Sequence, residues 1–140
     1  MNQFEQIFKK IIVLLPNIDK MEAGQAAKLT SAGFMDLHVD VLSIEQDRTV
    51  ISMAHYYEQN GDKVPDPDME IALYPKFKMA EALTYQDSFG FKEVYPEPGK
   101  VYPTIKKELN SFLNQWLNNI KSQRFFLEGH RIEKGQGRKL

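Results

Sequence analysis

The feature that most constrains the fold of this chain is a change in the spacing of its apolar residues. Over residues 4–15 they recur at three- and four-residue steps, which places them on one side of a helix that Pro16 should end. From about residue 25 the step becomes two, the period of a strand with one buried face. Over residues 103–124 the helical step returns, with Pro103 suited to the first helical position. The pattern predicts a helix, a run of strands and a second helix.

The two-residue spacing predicts an antiparallel meander of about five strands. These strands are expected at residues 35–42, 48–58, 69–74, 78–85 and 89–95. Residues 26–31 add a sixth strand if they are also extended. The order of the elements is typical of an α+β domain, in which the N-terminal and C-terminal helices pack on one face of the antiparallel sheet.

A turn and a pair of prolines separate the second and third predicted strands. Asn60 and Gly61 favour a tight turn because both residues tolerate a positive φ. Pro65 and Pro67 have no N–H group to donate to a neighbouring strand. We therefore expect a loop here, with strand pairing resumed at Met69.

Length and composition exclude several classes of protein. The chain has 140 residues, a length typical of one domain, and its apolar runs are far shorter than the about 20 residues of a membrane-spanning helix. It contains no cysteine, which excludes disulfides, a thiolate nucleophile and cysteine-based zinc sites. Residues 1–6 lack the basic start and apolar stretch of a signal peptide, so a cytoplasmic location is expected. Motifs of a serine nucleophile or a phosphate-binding loop are missing from the sequence, and we predict no catalytic residue and no cofactor.

The net charge of −1 is unevenly distributed along the chain. Residues 129–140 hold four basic residues and one acidic residue, a charge of +3, which leaves −4 on residues 1–128. The terminal segment also contains three glycines and few large apolar residues. We therefore expect a single domain over residues 1–128 and a mobile basic tail over residues 129–140. The tail is the part of the chain that could contact the phosphates of a nucleic acid.

The densest group of polar residues lies in the second predicted strand and in the connection after it. The candidate binding residues are His55, Tyr57, Asp62, Asp66, Asp68 and Glu70. If residues 66–70 are extended, three carboxylates project to the same side, and they could bind a hard divalent cation that activates water for hydrolysis. The alternative is that these acids cap turns and solvate a loop, so metal binding stays open.

Histidine is the other source of acid–base chemistry in this region. His38 and His55 lie on neighbouring predicted strands. If these strands pair, the two imidazoles could approach each other as a metal-binding or general-base pair. The alternative is that each is solvated or paired across the strands.

Aromatic residues are concentrated in the sheet region, where exposed rings could stack the bases of a single-stranded nucleic acid. They are Tyr56, Tyr57, Tyr74, Tyr85, Phe89, Phe91, Tyr95 and Tyr102. The lysines among them are matched by acidic residues, which weakens the electrostatic part of this hypothesis. Core packing is the alternative use of these rings.

Two segments of the chain resemble known protein families. The first resembles a family of small uncharacterised bacterial proteins often carried on plasmids, phages and other mobile elements, and it comprises His55-Tyr56-Tyr57-Glu58-Gln59-Asn60-Gly61-Asp62 followed by Asp66-Pro67-Asp68-Met69. The second is similar to another small bacterial family of unknown function, through Met69-Glu70-Ile71-Ala72-Leu73-Tyr74, Tyr95-Pro96, Asn110, Phe112, Leu113, Trp116 and Leu117. Both resemblances imply an α+β domain, and neither implies a reaction or assigns a site residue.

Three hypotheses for the function follow from these residues. The first is a non-enzymatic binding module of a mobile element that acts on a host protein or nucleoprotein. The second is a binder of single-stranded nucleic acid that uses the sheet aromatics and the basic tail. The third is a metal-dependent hydrolase that uses His55 and the nearby acids. We rank them in this order, which favours a protein that is not an enzyme and whose partner is a protein.

Overall fold

The computed structural model describes residues 1–127 and 133–134, which form an antiparallel sheet with α-helices on one of its faces. In chain order the elements are α1 (Gln3–Leu14), β1 (Gln25–Thr30), β2 (Leu37–Ile44), β3 (Thr49–Gln59), β4 (Asp62–Tyr74), β5 (Met79–Asp87), β6 (Gly90–Glu93), α2 (Pro103–Ser122), β7 (Phe126–Leu127) and β8 (Glu133–Lys134). A short 3-10 helix, Ile18–Lys20, follows α1. Across the described ranges, no helix combines the length and the apolar character needed to cross a bilayer.

Both helices lie where the spacing of the apolar residues predicts them. At the start of α1 the Asn2 side chain accepts the Glu5 backbone N–H at 2.9 Å, and the Glu5 carboxylate accepts the Asn2 backbone N–H at 3.0 Å. This capping box satisfies two N–H groups that have no partner within the helix. Helix α1 ends before Pro16, and α2 begins at Pro103. The two predicted helices are therefore confirmed.

Strand register separates the sheet side chains into two faces. One face, here called the core face, packs against Ile7 and Ile11 of α1 and against Leu113 and Leu117 of α2. It consists of Ala27, Leu29, Leu37, Val39, Val41, Ile51, Met53, Met69, Ile71, Leu73, Ala80 and Ala82. Burying a side chain of the size of Ile or Leu contributes roughly 1.5–3 kcal/mol. The other face, here called the open face, carries Lys28, His38, Asp40, Ser52, Ala54, Asp68, Glu70, Thr84, Gln86, Phe91 and Glu93.

A buried asparagine completes the hydrogen bonding of β5 where β6 ends. Strand β6 pairs with residues 84–87 of β5, so the backbone of Ala82 lies beyond its reach. The Asn110 side chain accepts the Ala82 N–H at 2.9 Å and donates to the Lys106 carbonyl at 2.8 Å. Asn110 therefore joins α2 to β5 and replaces the missing strand contact.

The prediction of about five strands is wrong. The described residues form an eight-stranded sheet in the order β6-β5-β4-β3-β2-β1-β7, with β8 also paired to β1. Residues 25–30 form a full strand, and β7 and β8 add two residues each along the outer edge of β1. Strands of two residues are too short to show a two-residue alternation, so the sequence pattern does not reveal them.

The predicted loop at Pro65 and Pro67 is also wrong, because β4 begins at Asp62 and runs through both prolines. Before Asp68 this strand pairs with β3 alone, and residues 55–67 form a two-stranded arm. A β-bulge in the arm places two β4 residues opposite His55, and the Asp66–Pro67 peptide bond is cis. Proline is accommodated here because bulges and edge positions do not require its N–H.

The predicted tail over residues 129–140 lies outside the described residues, apart from strand β8. The domain boundary at residue 128 lies there too. The mobility of the tail therefore stays a prediction.

We expect Asn110→Ala to lower the free energy of unfolding by about 1–3 kcal/mol, because it leaves the buried Ala82 N–H without an acceptor. Urea unfolding followed by circular dichroism measures the change. Asn118→Ala, on the exposed side of the same helix, is the matched control and should change the free energy by less than about 0.5 kcal/mol. Equal losses in the two variants would contradict the role of Asn110.

Candidate functional site

His55, the first of the candidate binding residues, packs beneath α2. Its ring centroid lies 5.6 Å from that of Trp116 and 5.7 Å from that of Phe125. Its Nδ1 lies 3.0 Å from the carbonyl oxygen of Asp36, and only 8% of the residue is exposed. These contacts give His55 the surroundings of a structural core residue.

The second histidine lies on the opposite face of the sheet. His38 pairs with Ala54 on the open face, and its ring centroid is 5.6 Å from that of Tyr56. Burial lowers the pKa of His38 below its ordinary value of 6.5, although Asp36 acts in the other direction. Because the sheet separates the two imidazoles, the structure does not bring His38 and His55 together.

The candidate acids are divided between the open face and the two-stranded arm. Asp68 and Glu70 share the open face, where Glu70 lies between Ser52 and Thr84 in the strand register. Asp62 lies at the tip of the arm opposite Gln59, Asp66 lies exposed in the bulge, and Tyr57 pairs with Val64. Within residues 1–127, no group of three or more acidic or histidine side chains is arranged to hold a metal ion.

A different site emerges where the β5–β6 hairpin meets α2. The hairpin turns through Ser88 and Phe89, and Asp87 holds that turn by accepting the backbone N–H groups of Phe89 at 2.8 Å and Gly90 at 3.1 Å. These hydrogen bonds fix the conformation of the tip. Phe89 is consequently held in solvent with 97% of its surface exposed.

Helix α2 forms the opposite wall of this site. The Phe112 ring meets the Tyr85 ring edge to face, with 5.2 Å between the centroids. Nearer the start of the helix, Glu108 forms an ion pair with Lys92 of β6, with 3.6 Å between Nζ and Oε2. Between these contacts lies a groove of about 460 Å³, here called the β6–α2 groove. It is lined by Tyr85, Asp87, Phe89, Gly90, Phe91, Lys92, Glu108, Leu109 and Phe112.

The groove combines an apolar centre with a charged rim. Phe112 is 38% exposed and Phe89 is almost fully exposed, so these two rings are accessible to another molecule. Asp87 stays ionised, because the backbone hydrogen bonds at the hairpin turn lower its pKa. Exposed aromatic rings around a concavity are typical of a surface that binds another molecule.

Tyr85 is held in the groove by its hydroxyl as well as by its ring. The hydroxyl donates to Asp87 Oδ2 at 2.9 Å. Burial, the hydrogen bond to Asp87 and the nearby charge of Asp66 raise the pKa of Tyr85 to about 12. The tyrosine is therefore a neutral donor that fixes the wall of the groove.

A second polar cluster lies near the start of α2, but its side chains bond to one another. The Tyr74 and Tyr95 hydroxyls both donate to Glu81, and the Lys106 ammonium donates to the Tyr95 hydroxyl at 3.0 Å. Burial and Glu81 raise the pKa of Tyr74 to about 12. The cluster fastens α2 to β5.

The sequence predicts that the phenylalanines of the groove lie either in the core or on a face of the sheet that stacks nucleic-acid bases. Phe112 belongs to the apolar side of α2, and Phe91 fits the two-residue alternation of a strand. The sequence signal that could have distinguished Phe89 is its position directly before Gly90, within the turn. The exposure of Phe112 depends on where the β5–β6 hairpin meets α2, and that of Phe91 depends on the uncovered open face; a local sequence pattern shows neither.

We expect His55→Ala to lower the free energy of unfolding by about 2–3 kcal/mol, because it removes buried ring contacts and a hydrogen bond. His38→Ala, on the open face, serves as the comparison and should cost less. Thermal and urea unfolding measure both values. A His55 variant as stable as the native protein would contradict the structural role.

We expect Tyr74 and Tyr85 to ionise near pH 12 in the folded protein, whereas ordinary tyrosines ionise near 10. Because the folded-state pKa values are raised, the stabilisation they represent is present below pH 10 and is lost as the pH rises through 12. Ultraviolet titration measures tyrosinate, with circular dichroism to monitor folding. Tyr85→Phe should remove one late-ionising group, and an unchanged titration curve would contradict the assignment.

Comparison with known proteins shows the family to which the chain belongs. No curated protein and no solved structure gave a match to the chain. The model of one family, described as "Domain of unknown function (DUF6908)", matches residues 6–126, which include most of α1, all of α2 and the whole β6–α2 groove. The match supports the coarser part of the sequence resemblance, that of a family without a known function. The chain belongs to this DUF6908 family of domains of unknown function.

Proposed function

We propose that the protein is a binding module without a catalytic role, and that its partner is a protein that inserts an apolar side chain into the β6–α2 groove. The observation that carries this proposal is the pair of accessible rings, Phe89 and Phe112, at a groove of about 460 Å³. Pockets that take a ligand usually have volumes of about 300–1,000 Å³.

The arrangement of charges around the groove supports a protein partner. Aromatic residues are enriched at the centres of protein interfaces, where they are surrounded by a polar rim that excludes water. Here the rim is supplied by the Lys92–Glu108 ion pair and by Asp87. The walls are fixed in advance by the Tyr85–Phe112 contact and the hairpin hydrogen bonds, so little conformational freedom is lost on binding.

The sequence resemblance to proteins of mobile elements supports a proposal for the kind of partner. We propose a host protein or nucleoprotein, met in a bacterial cytoplasm. The signature His55-to-Met69 segment lies mainly in β3 and the arm and contributes no residue to the lining of the groove, so the resemblance and the groove are separate supports.

Two other hypotheses have less support. Stacking of nucleic-acid bases on the open face would bring phosphates near Asp68, Glu70 and Glu93, and the basic tail lies outside the described residues. A metal-dependent hydrolase would need His55 beside the acids, and His55 instead lies under α2. Both rank below protein binding.

The test is affinity capture from bacterial lysate with the tagged native protein and two variants. We expect Phe89→Ser to reduce recovery of a specific protein by about tenfold or more, because it removes the most exposed ring of the groove. Phe77→Ser is the matched control, since Phe77 is 58% exposed in the β4–β5 turn and lies outside the groove. Mass spectrometry quantifies the recovered proteins. Equal recovery with all three baits would overturn the proposal.

A further inference from the structure

The outer edge of β6 has backbone groups that point away from the rest of the sheet. Antiparallel strands alternate between pairs that exchange hydrogen bonds and pairs that do not. Val94 donates its N–H to the Leu83 carbonyl at 2.9 Å, which makes these two residues a hydrogen-bonded pair. By the register, Lys92 with Tyr85 is the next such pair. Glu93 lies between these two pairs, and Phe91 lies on the other side of Lys92. Both residues therefore direct their N–H and C=O groups outward.

Strand β6 is the last strand on its side of the sheet. In the part of the chain that the structure describes, β6 pairs with β5 alone. Proteins often protect such an edge with a charged side chain. Here Lys92 instead forms an ion pair with Glu108 on the helix side, while the neighbouring phenylalanine is more than half exposed.

The edge and the groove are continuous. The side chain of Lys92 lies on the side of β6 that faces α2, and its ion pair bounds the β6–α2 groove. A strand added beside β6 would alternate its side chains in the same way. Residues opposite Lys92 would therefore point towards the groove, and residues opposite Phe91 and Glu93 would lie on the open face.

We propose that the partner contributes an extended segment that pairs with β6 as an additional strand and places one large apolar side chain in the groove. This inference rests on the proposed function. The segment exchanges backbone hydrogen bonds with Phe91 and Glu93, a mode of recognition that takes affinity from the main chain and specificity from alternate side chains.

Charge indicates the composition of this segment. Glu93 lies on the edge itself, Asp87 lies at the hairpin turn, and residues 1–128 carry a net charge of −4. An extended peptide with lysine or arginine beside its apolar anchor complements these charges. A second copy of this chain fits less well, because antiparallel pairing of Phe91 with Glu93 of the copy places two Lys92 side chains opposite each other.

The test uses a random nine-residue peptide library displayed on phage and selected against the full chain. Binding of the selected peptides is measured by fluorescence anisotropy. Glu93→Pro removes one outward N–H and leaves the pairing with β5 intact, so it should weaken binding about fivefold or more. Phe112→Ala should weaken binding through the groove, and Phe77→Ala should leave it unchanged. Circular dichroism verifies that each variant is folded.

A second measurement keeps the proposal testable if Glu93→Pro does not fold. Methylating the backbone nitrogens of the peptide one at a time should weaken binding about fivefold or more at alternate positions, because only every second N–H faces β6. One outcome separates the two proposals. If Phe112→Ala weakens peptide binding, but neither Glu93→Pro nor any methylation does, strand addition is overturned and the groove proposal stands.

Three other outcomes contradict the proposals. If neither Phe112→Ala nor Glu93→Pro weakens binding, or if no peptide is selected, both the groove and the strand proposals fail. Selected peptides without lysine or arginine overturn the proposed charge of the segment. Light scattering that shows a dimer dissociated by Glu93→Pro assigns the edge to a second copy and overturns the partner segment.

Discussion

The helices pack on one face of the sheet only. This one-sided packing determines on which face of the sheet each strand side chain lies. Ile51, Met53 and Ile71 at the centre of the core face are fully buried. A shift of the register by one residue would move such side chains to the opposite face, so their burial selects a single register. Asp68 and Glu70 lie on the open face for this reason, and His55 lies under α2 for the same reason.

The length of β6 decides where the protein is accessible. Because the strand has four residues, it covers only part of β5, and α2 takes over the uncovered part through Asn110. Towards the hairpin tip, the Phe112 ring packs on Tyr85 of β5 and keeps part of its surface in solvent. The groove lies on the other side of this transition, where the paired residues of the β5–β6 hairpin run past α2 towards the tip at Phe89.

Much of the architecture could be predicted from the sequence. Both helices follow from apolar spacing, and the capping box and the prolines agree with their observed ends. Each of the five predicted strands overlaps a strand of the structure, but the number is wrong, because β7 and β8 depend on contacts with β1 that leave no periodic trace in two residues. The sequence predicts a loop at the prolines of β4, where the structure has a strand. The reason is that a single sequence does not reveal that β4 has only one neighbouring strand there.

The candidate site was less predictable than the fold. The residue types in the His55-to-Glu70 region indicate possible chemistry, but chemistry requires that the side chains meet, and the sheet separates His55 from Asp68 and Glu70. Phe89, Phe91 and Phe112 resemble core residues in the sequence because their side chains are apolar. The sequence pattern does not show whether another strand or helix covers these side chains in the fold. Exposure is set by tertiary contacts, which a local pattern does not encode.

The two ends of the sheet differ in a way that limits assembly. At one end, the edge of β1 is already paired, because the described residues place β7 opposite Leu29 and Thr30 and β8 opposite Gln25 and Ala26. In the arm, the outer edge of β4 contains two prolines that offer no N–H group. Head-to-tail growth into a fibre needs a receptive edge at both ends of each copy. Within residues 1–127 and 133–134, β6 is the strand with a long receptive edge, and a segment bound there completes the sheet on that side.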